Sequence, residues 1–293
     1  MQNVEELFSP PRNFGALPSP YTGLETAKVV ILPVPYDSTT EWHSGTREGP
    51  QAIIGASQYL ELYDIELDQE IYKLGIHTVY EIQPLLSGPE EMVQRAYHVA
   101  KQLIQQAKFV VILGGEHSLS LGMVRALKGR YQDFCVLQLD AHADLRDEYT
   151  GTKYSHACVM RRVLELCPII QVGMRSLSRE EQQFLNQNKM RPFYISTPTP
   201  DLAWPQQIVA LLHDNVYVSI DLDVFDHSIM PAVDTAEPGG MQWHEALNLV
   251  RLVTLRKHVI GFDLVELCPR EGPTSCAFLA AKLAYKLIGY AMS

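Results

Sequence analysis

Acids and imidazoles occur at alternate positions in two short segments of the chain. Asp140, His142 and Asp144 alternate in DAHAD, and Asp221 and Asp223 alternate in DLD. Alternate side chains of an extended chain point to the same side, so each segment presents its donors together. Carboxylates crowded into one crevice repel one another and lose hydration, and a multivalent cation offsets both effects. The spacing therefore indicates a metal site.

A third segment, GGEHS, adds an imidazole at His117. Any one of these residues alone is more often a helix cap or a hydrogen-bonded polar group, so the inference depends on the whole cluster. Two imidazoles and four carboxylates are too many donors for one tetrahedral zinc but suit two ions that share bridging carboxylates. An oxygen-rich set without thiolates favours a hard ion, and the imidazoles favour Mn²⁺ over Mg²⁺, with nickel and cobalt also open. The predicted ligands of two Mn²⁺ ions are His117, Asp140, His142, Asp144, Asp221 and Asp223.

The elements that must position these donors are visible as apolar runs of strand length. The runs span residues 29–33, 109–113, 134–139, 169–172, 216–220 and 259–264, and helical patterns span 90–106, 119–129, 157–166, 243–255 and 275–290. Continuous apolar strands are typical of parallel sheets that helices cover on both faces. The alternation predicts one α/β domain of three layers with right-handed crossovers.

The polar segments come directly after these runs. GGEHS follows residues 109–113, DAHAD follows 134–139, DLD follows 216–220, and Glu266 follows the last run. The carboxyl ends of parallel strands share one edge of a sheet, and ligands bind in the crevice beyond that edge. We therefore expect four strands to deliver these acids and imidazoles to one place.

The composition of the 293 residues limits the class of protein. No apolar stretch reaches the roughly 18 residues that a membrane helix needs, and the first residues do not resemble a signal peptide, so a cytoplasmic protein without a membrane partner is expected. The formal net charge of −10 argues against a nucleic-acid partner and suits a small cationic one. Five cysteines without a CxxC pair predict reduced, buried thiols rather than disulfides or a zinc ribbon.

Four motifs together resemble the ureohydrolase family of arginases and agmatinases. They are GGEHS, DAHAD with SHACVMRR, SIDLDVFD with EPGG, and GFDLVELCP, and the resemblance is closest to bacterial agmatinases. It covers nearly the whole chain and implies the family's three-layer α/β/α fold around an eight-stranded, mostly parallel sheet. It also implies a single ureohydrolase domain over residues 1–293, with residues 1–25 as an N-terminal extension, and a homotrimer or homohexamer.

The resemblance also assigns roles that spacing alone does not. It matches the six donors to the family's dimetal ligands, His156 to its proton-shuttling histidine, and Glu266 to the acid that binds the guanidinium group. Two cations that share one water lower the pKa of that water, which makes a strong nucleophile available near neutral pH. Asp144 is then expected to orient the nucleophile, while Glu266 and His156 hold the substrate and move a proton.

The loop after DAHAD bears on the substrate. Residues 145–154, LRDEYTGTKY, lack the asparagine with which arginases hold an α-carboxylate, and DLRxxYxG resembles bacterial agmatinases. Asp147 and Glu148 are expected to attract the distal ammonium of a small guanidino cation, although two loop acids are more often a solvated surface. The predicted reaction converts agmatine to putrescine and urea. N1-aminopropylagmatine, which would give spermidine and urea, is the main alternative, and guanidinobutyrate and guanidine stay open.

Two loops beside the predicted site depart from the family pattern. Residues 227–236 lack the glycines common in relatives, which removes permissive backbone positions, and residues 268–274 begin with CPREG in place of an acidic and aromatic run. Two further interpretations are a related hydrolase, such as a formiminoglutamate hydrolase or histone deacetylase, and a non-catalytic polyamine-binding homologue. Retention of all six donors with His156 and Glu266 favours a guanidinium hydrolase over both.

Overall fold

A parallel sheet forms the centre of the protein. The structure is a computed structural model that describes residues 9, 11–194 and 203–293. The strands are β1 (Val29–Val34), β2 (Tyr63–Asp64), β3 (Gln69–Glu70), β4 (Ile76–Thr78), β5 (Phe109–Gly114), β6 (Cys135–Leu139), β7 (Ile169–Met174), β8 (Phe193–Tyr194), β9 (Asn215–Asp221) and β10 (His258–Val265). The helices are α1 (Gly49–Ser57), α2 (Pro89–Gln105), α3 (Ser120–Lys128), α4 (Val159–Val163), α5 (Arg179–Gln187), α6 (Trp204–Leu211), α7 (Trp243–Arg256) and α8 (Ser275–Met292). Strands β2 and β3 form a small antiparallel pair. The other eight follow the order β4-β1-β5-β10-β9-β6-β7-β8, and all neighbours are parallel.

Helices cover both faces of this sheet, and strand residues alternate between two buried cores. Ile31 and Leu137 belong to one core, together with residues of α1, α6, α7 and α8. Val30 and Val136 belong to the other, together with residues of α2, α3, α4 and α5. Because neither face meets water, neither can carry alternating polar residues, which explains the continuous apolar runs. The predicted three-layer α/β/α fold with an eight-stranded sheet is confirmed.

Strand register places the ends of four neighbouring strands, β5, β10, β9 and β6, in one row. Leu113 pairs with Leu264, Leu264 pairs with Ile220, and Ile220 pairs with Leu139. The chain leaves the sheet just after this row on each strand. The predicted site residues that follow on the four strands are His117, Glu266, Asp221 and Asp140.

The structure also contains elements that the apolar pattern did not predict. Strands β4 and β8 have three and two residues, too few to leave a recognisable run. Helices α1, α5 and α6 were missed as well; α5 is polar overall, and its only clear signal is a capping box between Ser178 and Glu181. Helix α4 ends at Val163 rather than at residue 166, and the chain turns into β7 through Pro168, which disfavours helix in the residue before it.

The predicted N-terminal extension, residues 1–25, lies partly outside the described residues. Within its described part, Phe14 and Leu17 are buried in the core. The Phe14 amide donates to Thr78 Oγ1 at 3.0 Å, and the next amide donates to Ser57 Oγ at 2.8 Å. This segment therefore packs on β4 and α1. Among the described residues, no helix is long and apolar enough to cross a membrane.

Candidate active site

The predicted metal ligands converge beyond the row of strand ends. His117, Asp140 and Asp221 form one group whose ligand atoms lie within 4.8 Å of one another, and Asp140, His142 and Asp223 form a second such group. Asp140 belongs to both groups. The arrangement therefore fits two cations that share a carboxylate.

His117 is held by a hydrogen bond on the side of its ring away from the carboxylates. Its Nε2 lies 2.9 Å from Ser219 Oγ, which donates to Asp263 Oδ1 at 2.8 Å. Because the Ser219 hydroxyl hydrogen is directed at Asp263, Ser219 Oγ is assigned as the acceptor of a hydrogen bond from His117 Nε2–H. The lone pair of the His117 ring is then on Nδ1. Nδ1 is buried without a hydrogen-bond partner, although oxygens of Asp144 and Asp140 lie 2.9 and 3.1 Å away. A buried lone pair that faces carboxylate oxygens fits a metal ligand.

Backbone and amide donors orient the carboxylates. The His142 amide donates to Asp140 Oδ1 at 2.6 Å, and Gln138 Nε2 donates to Asp140 Oδ2 at 2.7 Å. The Asp223 amide donates to Asp221 Oδ1 at 2.9 Å, while Asp223 Oδ2 contacts His142 Nδ1 at 2.7 Å. Partners of this kind fix the direction of metal ligands and tune their basicity.

The carboxylates are deeply buried and close to one another. Burial, with the charges of Asp144 and Asp223, raises the pKa of Asp140 to about 7. Burial and the Asp223 charge also raise the pKa of Asp221 well above its ordinary value. For Asp223, burial is the largest single effect and acts in the same direction, but the charge and hydrogen bond of His142, with the Ala141 amide and the charge of Arg175, together bring the pKa below its ordinary value. Cations among these carboxylates would favour their ionised forms, so burial and donor type both fit a metal pair.

Two site residues adopt backbone conformations that side chains disfavour. Asp144 and Glu266 have φ values of 54° and 65°, in the left-handed region. Hydrogen bonds hold both: the Met160 amide donates to the Asp144 carbonyl at 3.0 Å, and the Glu266 amide donates to the Gly115 carbonyl at 2.8 Å. Strain of this kind persists only where neighbours enforce it, which is typical of functional sites.

Glu266 presents one free carboxylate oxygen. Its Oε1 accepts from the His117 amide at 2.6 Å, whereas its Oε2 is buried without a hydrogen-bond partner. Burial and the charge of Glu116 raise the pKa of Glu266 well above its ordinary value. A guanidinium group would supply both the N–H donor and the positive charge that this carboxylate lacks.

A pocket of about 310 Å³ opens over the metal cluster, and Glu266, Asp144 and His156 line it. The volume lies at the lower end of the range for small-molecule sites, about 300–1,000 Å³. His156 Nδ1 lies 3.1 Å from Thr39 Oγ1, and the His156 ring meets the edge of Tyr149 at 6.1 Å between centroids. The structure thus places His156, Glu266 and five of the six metal donors around one cavity, and the sixth, Asp140, lies among those donors without lining it.

Asp147 and Glu148 do not take the position expected of them. Neither lines the pocket. Asp147 Oδ1 instead accepts from Arg162 Nη2 at 2.5 Å, and Glu148 is exposed. The salt bridge to Arg162 holds the Asp147 carboxylate outside the pocket, while Arg146 and Tyr149 of the same loop line it.

Other acids occupy the pocket wall. The carboxylates of Glu41, Asp234 and Glu237, which we call the rim acids, all line it. Glu41 is exposed and accepts from the Tyr149 hydroxyl, whereas Asp234 is only 9% exposed and accepts from the His43 amide at 2.7 Å. Their positions could not be read from sequence, because all three lie in loops between elements.

Sequence reasoning also missed side chains that support the ligands from behind. Ser219, Asp263 and Gln138 hold His117 and Asp140. Ser219 and Asp263 belong to the SIDLDVFD and GFDLVELCP motifs, which was the available signal. Arg175 gave no signal in the sequence. Its Nη2 donates to the carbonyls of Asp223 and Glu237 at 2.7 and 2.8 Å, which connects the loop that carries Glu237 to the metal ligand Asp223.

Comparisons with known proteins agree with this geometry. The family model described as "Arginase family" matches residues 27–289. The N(1)-aminopropylagmatine ureohydrolase of Synechocystis sp. is 40% identical over 278 residues, which cover 92% of this chain and 90% of that protein. The agmatinase of Pyrococcus horikoshii is 34% identical over 277 residues, covering 92% and 94%. The crystal structure of agmatine ureohydrolase of Thermoplasma volcanium has a TM-score of 0.86 and 30% identity, covering 99% of this chain and 97% of that one.

Proposed function

The chain belongs to the arginase family and is a ureohydrolase that cleaves amidino C–N bonds, and from this premise we propose that its substrate is N1-aminopropylagmatine. That cation carries two amines beyond its guanidinium group. The observation that carries the proposal is that three rim acids, Glu41, Asp234 and Glu237, line the pocket in addition to Glu266. Carboxylates are then available for both amines as well as for the guanidinium group of the substrate.

We propose that two Mn²⁺ ions are held by His117, Asp140, His142, Asp144, Asp221 and Asp223. When bound, such cations act as Lewis acids that make water a strong nucleophile near neutral pH. The shared position of Asp140 and the unpartnered Nδ1 of His117 support this assignment. Manganese itself rests on donor type alone, since imidazoles with carboxylates also suit nickel and cobalt.

The remaining site residues act on the substrate. Glu266 Oε2, buried and unpartnered, would accept a charge-assisted N–H bond and fix the guanidinium carbon in one place. Asp144, held in its left-handed conformation at the pocket wall, would orient the attacking water. His156 would donate a proton to the departing amine. The products would be urea and spermidine.

The rim acids bear on the distal end of the substrate. Glu266 and the metals contact only the guanidinium end, which all guanidino compounds share, so discrimination must come from the rest of the wall. Asp234 and Glu41 would attract amines and repel the carboxylate of arginine. A charged hydrogen bond to the buried Asp234 would contribute about 1.5–3 kcal/mol, or roughly 10–150-fold in specificity, and the exposed Glu41 less. The homotrimer or homohexamer that the family resemblance implies stays a prediction.

The test is urea release by the purified, manganese-loaded enzyme from a panel of compounds. We expect kcat/KM to fall in the order N1-aminopropylagmatine, agmatine, then arginine. Guanidinobutyrate is an informative further arm, because Arg146 also lines the pocket and would favour a carboxylate. Faster turnover of arginine or guanidinobutyrate than of both N1-aminopropylagmatine and agmatine would overturn the substrate assignment. Absence of urea release from every compound in the panel would overturn the function.

Agmatine, the substrate that the sequence alone predicted, is the second candidate. Its single terminal ammonium needs only one acid beyond Glu266, which Asp234 supplies deep in the wall. Agmatinase and agmatine ureohydrolase are also the names of similar proteins. A kcat/KM for agmatine above that for the aminopropyl compound would make Glu41 irrelevant to substrate choice.

A further inference from the structure

A hydrogen-bonded chain runs from the buried Glu116 to the partly buried imidazole of His156. Thr39 Oγ1 lies 2.8 Å from Glu116 Oε1 and 3.1 Å from His156 Nδ1. The Thr39 amide donates to Glu116 Oε2 at 2.7 Å, and Ser118 Oγ donates to Glu116 Oε1 at 2.5 Å. Glu116 is fully buried. The carboxylate therefore has three donors around it and no exposure to water.

The direction of each hydrogen bond follows from the number of protons available. Burial raises the pKa of Glu116, whereas hydrogen bonds from the Thr39 amide and from the Ser118 and Thr39 hydroxyls favour its ionised, acceptor-only form. With Glu116 ionised, the Thr39 hydroxyl donates its one hydrogen bond to Glu116. Thr39 Oγ1 is then left with acceptor lone pairs. The His156 amide donates to this oxygen at 3.1 Å, and the remaining lone pair faces His156 Nδ1. If the hydroxyl proton pointed to Nδ1 instead, two acceptor oxygens would meet at 2.8 Å without a hydrogen between them.

We infer that Thr39, oriented by Glu116, fixes neutral His156 in the tautomer that carries hydrogen on Nδ1. The other ring nitrogen, Nε2, has no hydrogen-bond partner among the described residues, and the ring lines the pocket. Nε2 is thus the nitrogen that exchanges protons with substrate. Ser155 Oγ, at 3.3 Å, accepts from the Ala157 amide and keeps its hydroxyl hydrogen, so it is the competing partner of Nδ1; Thr39 Oγ1, at 3.1 Å, is the nearer of the two. Thr39 and Glu116 are positioning residues, since neither lines the cavity.

This inference rests on the proposed role of His156 as general acid. An imidazolium that gives its Nε2 proton to the leaving amine becomes the Nδ1–H tautomer directly, so the Thr39 contact stabilises the product of the transfer as well as the starting state. Holding the ring also removes the rotational search that a free imidazole would need. The contact therefore acts on proton transfer and leaves substrate binding alone.

The first test reads the tautomer itself, by ¹⁵N NMR of the histidine ring in the full chain with diamagnetic Mg²⁺ in place of Mn²⁺. The His156 signal is identified by its loss in His156→Ala, and spectra are recorded where the ring is neutral. We expect hydrogen on Nδ1 in the wild type and in Thr39→Ser, which keeps the hydroxyl. Thr39→Val, which keeps the shape but not the hydroxyl, should lose this preference. Thr40→Val is the matched control, because among the described residues the Thr40 hydroxyl hydrogen-bonds only to the Asp37 carbonyl, at 3.4 Å.

The second test is kinetic, on the manganese enzyme. Thr39→Val should lower kcat by about 10–100-fold, less than the roughly 10²–10⁴-fold worth of a whole general acid, with KM nearly unchanged. Thr39→Ser and Thr40→Val should keep most of the activity. An Nε2–H tautomer in the wild type, or an unaltered tautomer in Thr39→Val, would overturn the inference. A wild-type enzyme that releases no urea would instead overturn the proposed function, and the NMR result would still decide the tautomer.

Discussion

The metal end of the pocket and its rim differ in what holds their acids in place. Asp140, Asp221 and Asp223 lie at strand ends or within two residues of them, are at most 4% exposed, and accept hydrogen bonds from backbone or amide donors. Glu41 is exposed in a loop, and its recorded partner is the Tyr149 hydroxyl. A sheet edge fixes side chains precisely enough for chemistry, whereas loops supply contacts that can change without disturbing it.

Arg175 joins the two regions. Its guanidinium donates to carbonyls at both ends of the segment from Asp223 to Pro238. That segment carries two of the rim acids, Asp234 and Glu237, so the loop is anchored to a metal ligand although its sequence departs from the family pattern. The comparison therefore predicts large losses from changes at the metal end and smaller, substrate-dependent losses from changes at the rim.

The largest effect is expected from Asp140→Ala. Asp140 belongs to both groups of candidate ligands, so its loss removes an oxygen from each metal position. We expect the variant to lose metal and to release no measurable urea. Metal analysis beside a urea assay checks this, with Glu148→Ala as a control on an exposed acid outside the pocket. Two bound ions with wild-type turnover would show that Asp140 is not a shared ligand.

His156→Ala should have the next largest effect, because it removes the proposed general acid but no candidate metal ligand. Turnover should fall by about 10²–10⁴-fold while two ions remain bound. Metal content and kcat must be measured on the same sample. Loss of metal would make His156 a ligand, and an unchanged kcat would make it a bystander.

These two variants concern residues that the sequence could identify, and the reason is geometric. The extended alternation expected for DAHAD and DLD was wrong in detail, because residues 222–224 form a 3-10 helix and Asp144 has a φ of 54°. The donors were found because DAHAD follows β6 and DLD begins at the end of β9, and the carboxyl ends of neighbouring parallel strands meet at one edge of the sheet. The resemblance supplied the roles of His156 and Glu266. Loop paths have no such rule. Asp147 was expected at the substrate, but the side chain of Arg162, distant in sequence, draws it outward. The position of Asp234 likewise depends on the His43 amide, a contact across 191 residues that no local pattern contains.

Ser219→Ala should weaken metal binding without removing a ligand. Ser219 accepts from His117 Nε2–H and so keeps Nδ1 directed at the carboxylates. Loss of a partner of this kind costs about 10–100-fold in metal affinity or activity. We expect a raised manganese requirement, with kcat largely restored at saturating Mn²⁺. A kcat that stays low in excess metal would place Ser219 in the chemical step or the fold instead, and a denaturation curve would separate those two.

The smallest effect is expected at the rim, and it should depend on substrate. Glu41→Gln removes a charge from the pocket mouth while keeping the size of the side chain. Because Glu41 is exposed, its pairing with an amine is screened by water, and an exposed ion pair of under about 1 kcal/mol corresponds to roughly 2–5-fold in affinity. We expect that loss in kcat/KM for N1-aminopropylagmatine but not for agmatine, whose chain ends before the second amine.

Glu148→Gln is the matched control, since it makes the same change on an exposed acid of the neighbouring loop that does not line the pocket. It should leave both substrates unaffected. Equal losses for the two substrates in Glu41→Gln would mean that Glu41 acts on the fold of the mouth, through Tyr149, rather than on the second amine. A loss confined to Glu148→Gln would place the distal amine on the other side of the loop and reverse the assignment of the rim. Only a loss specific to the longer substrate and to Glu41 supports a rim that selects substrates independently of the metal end.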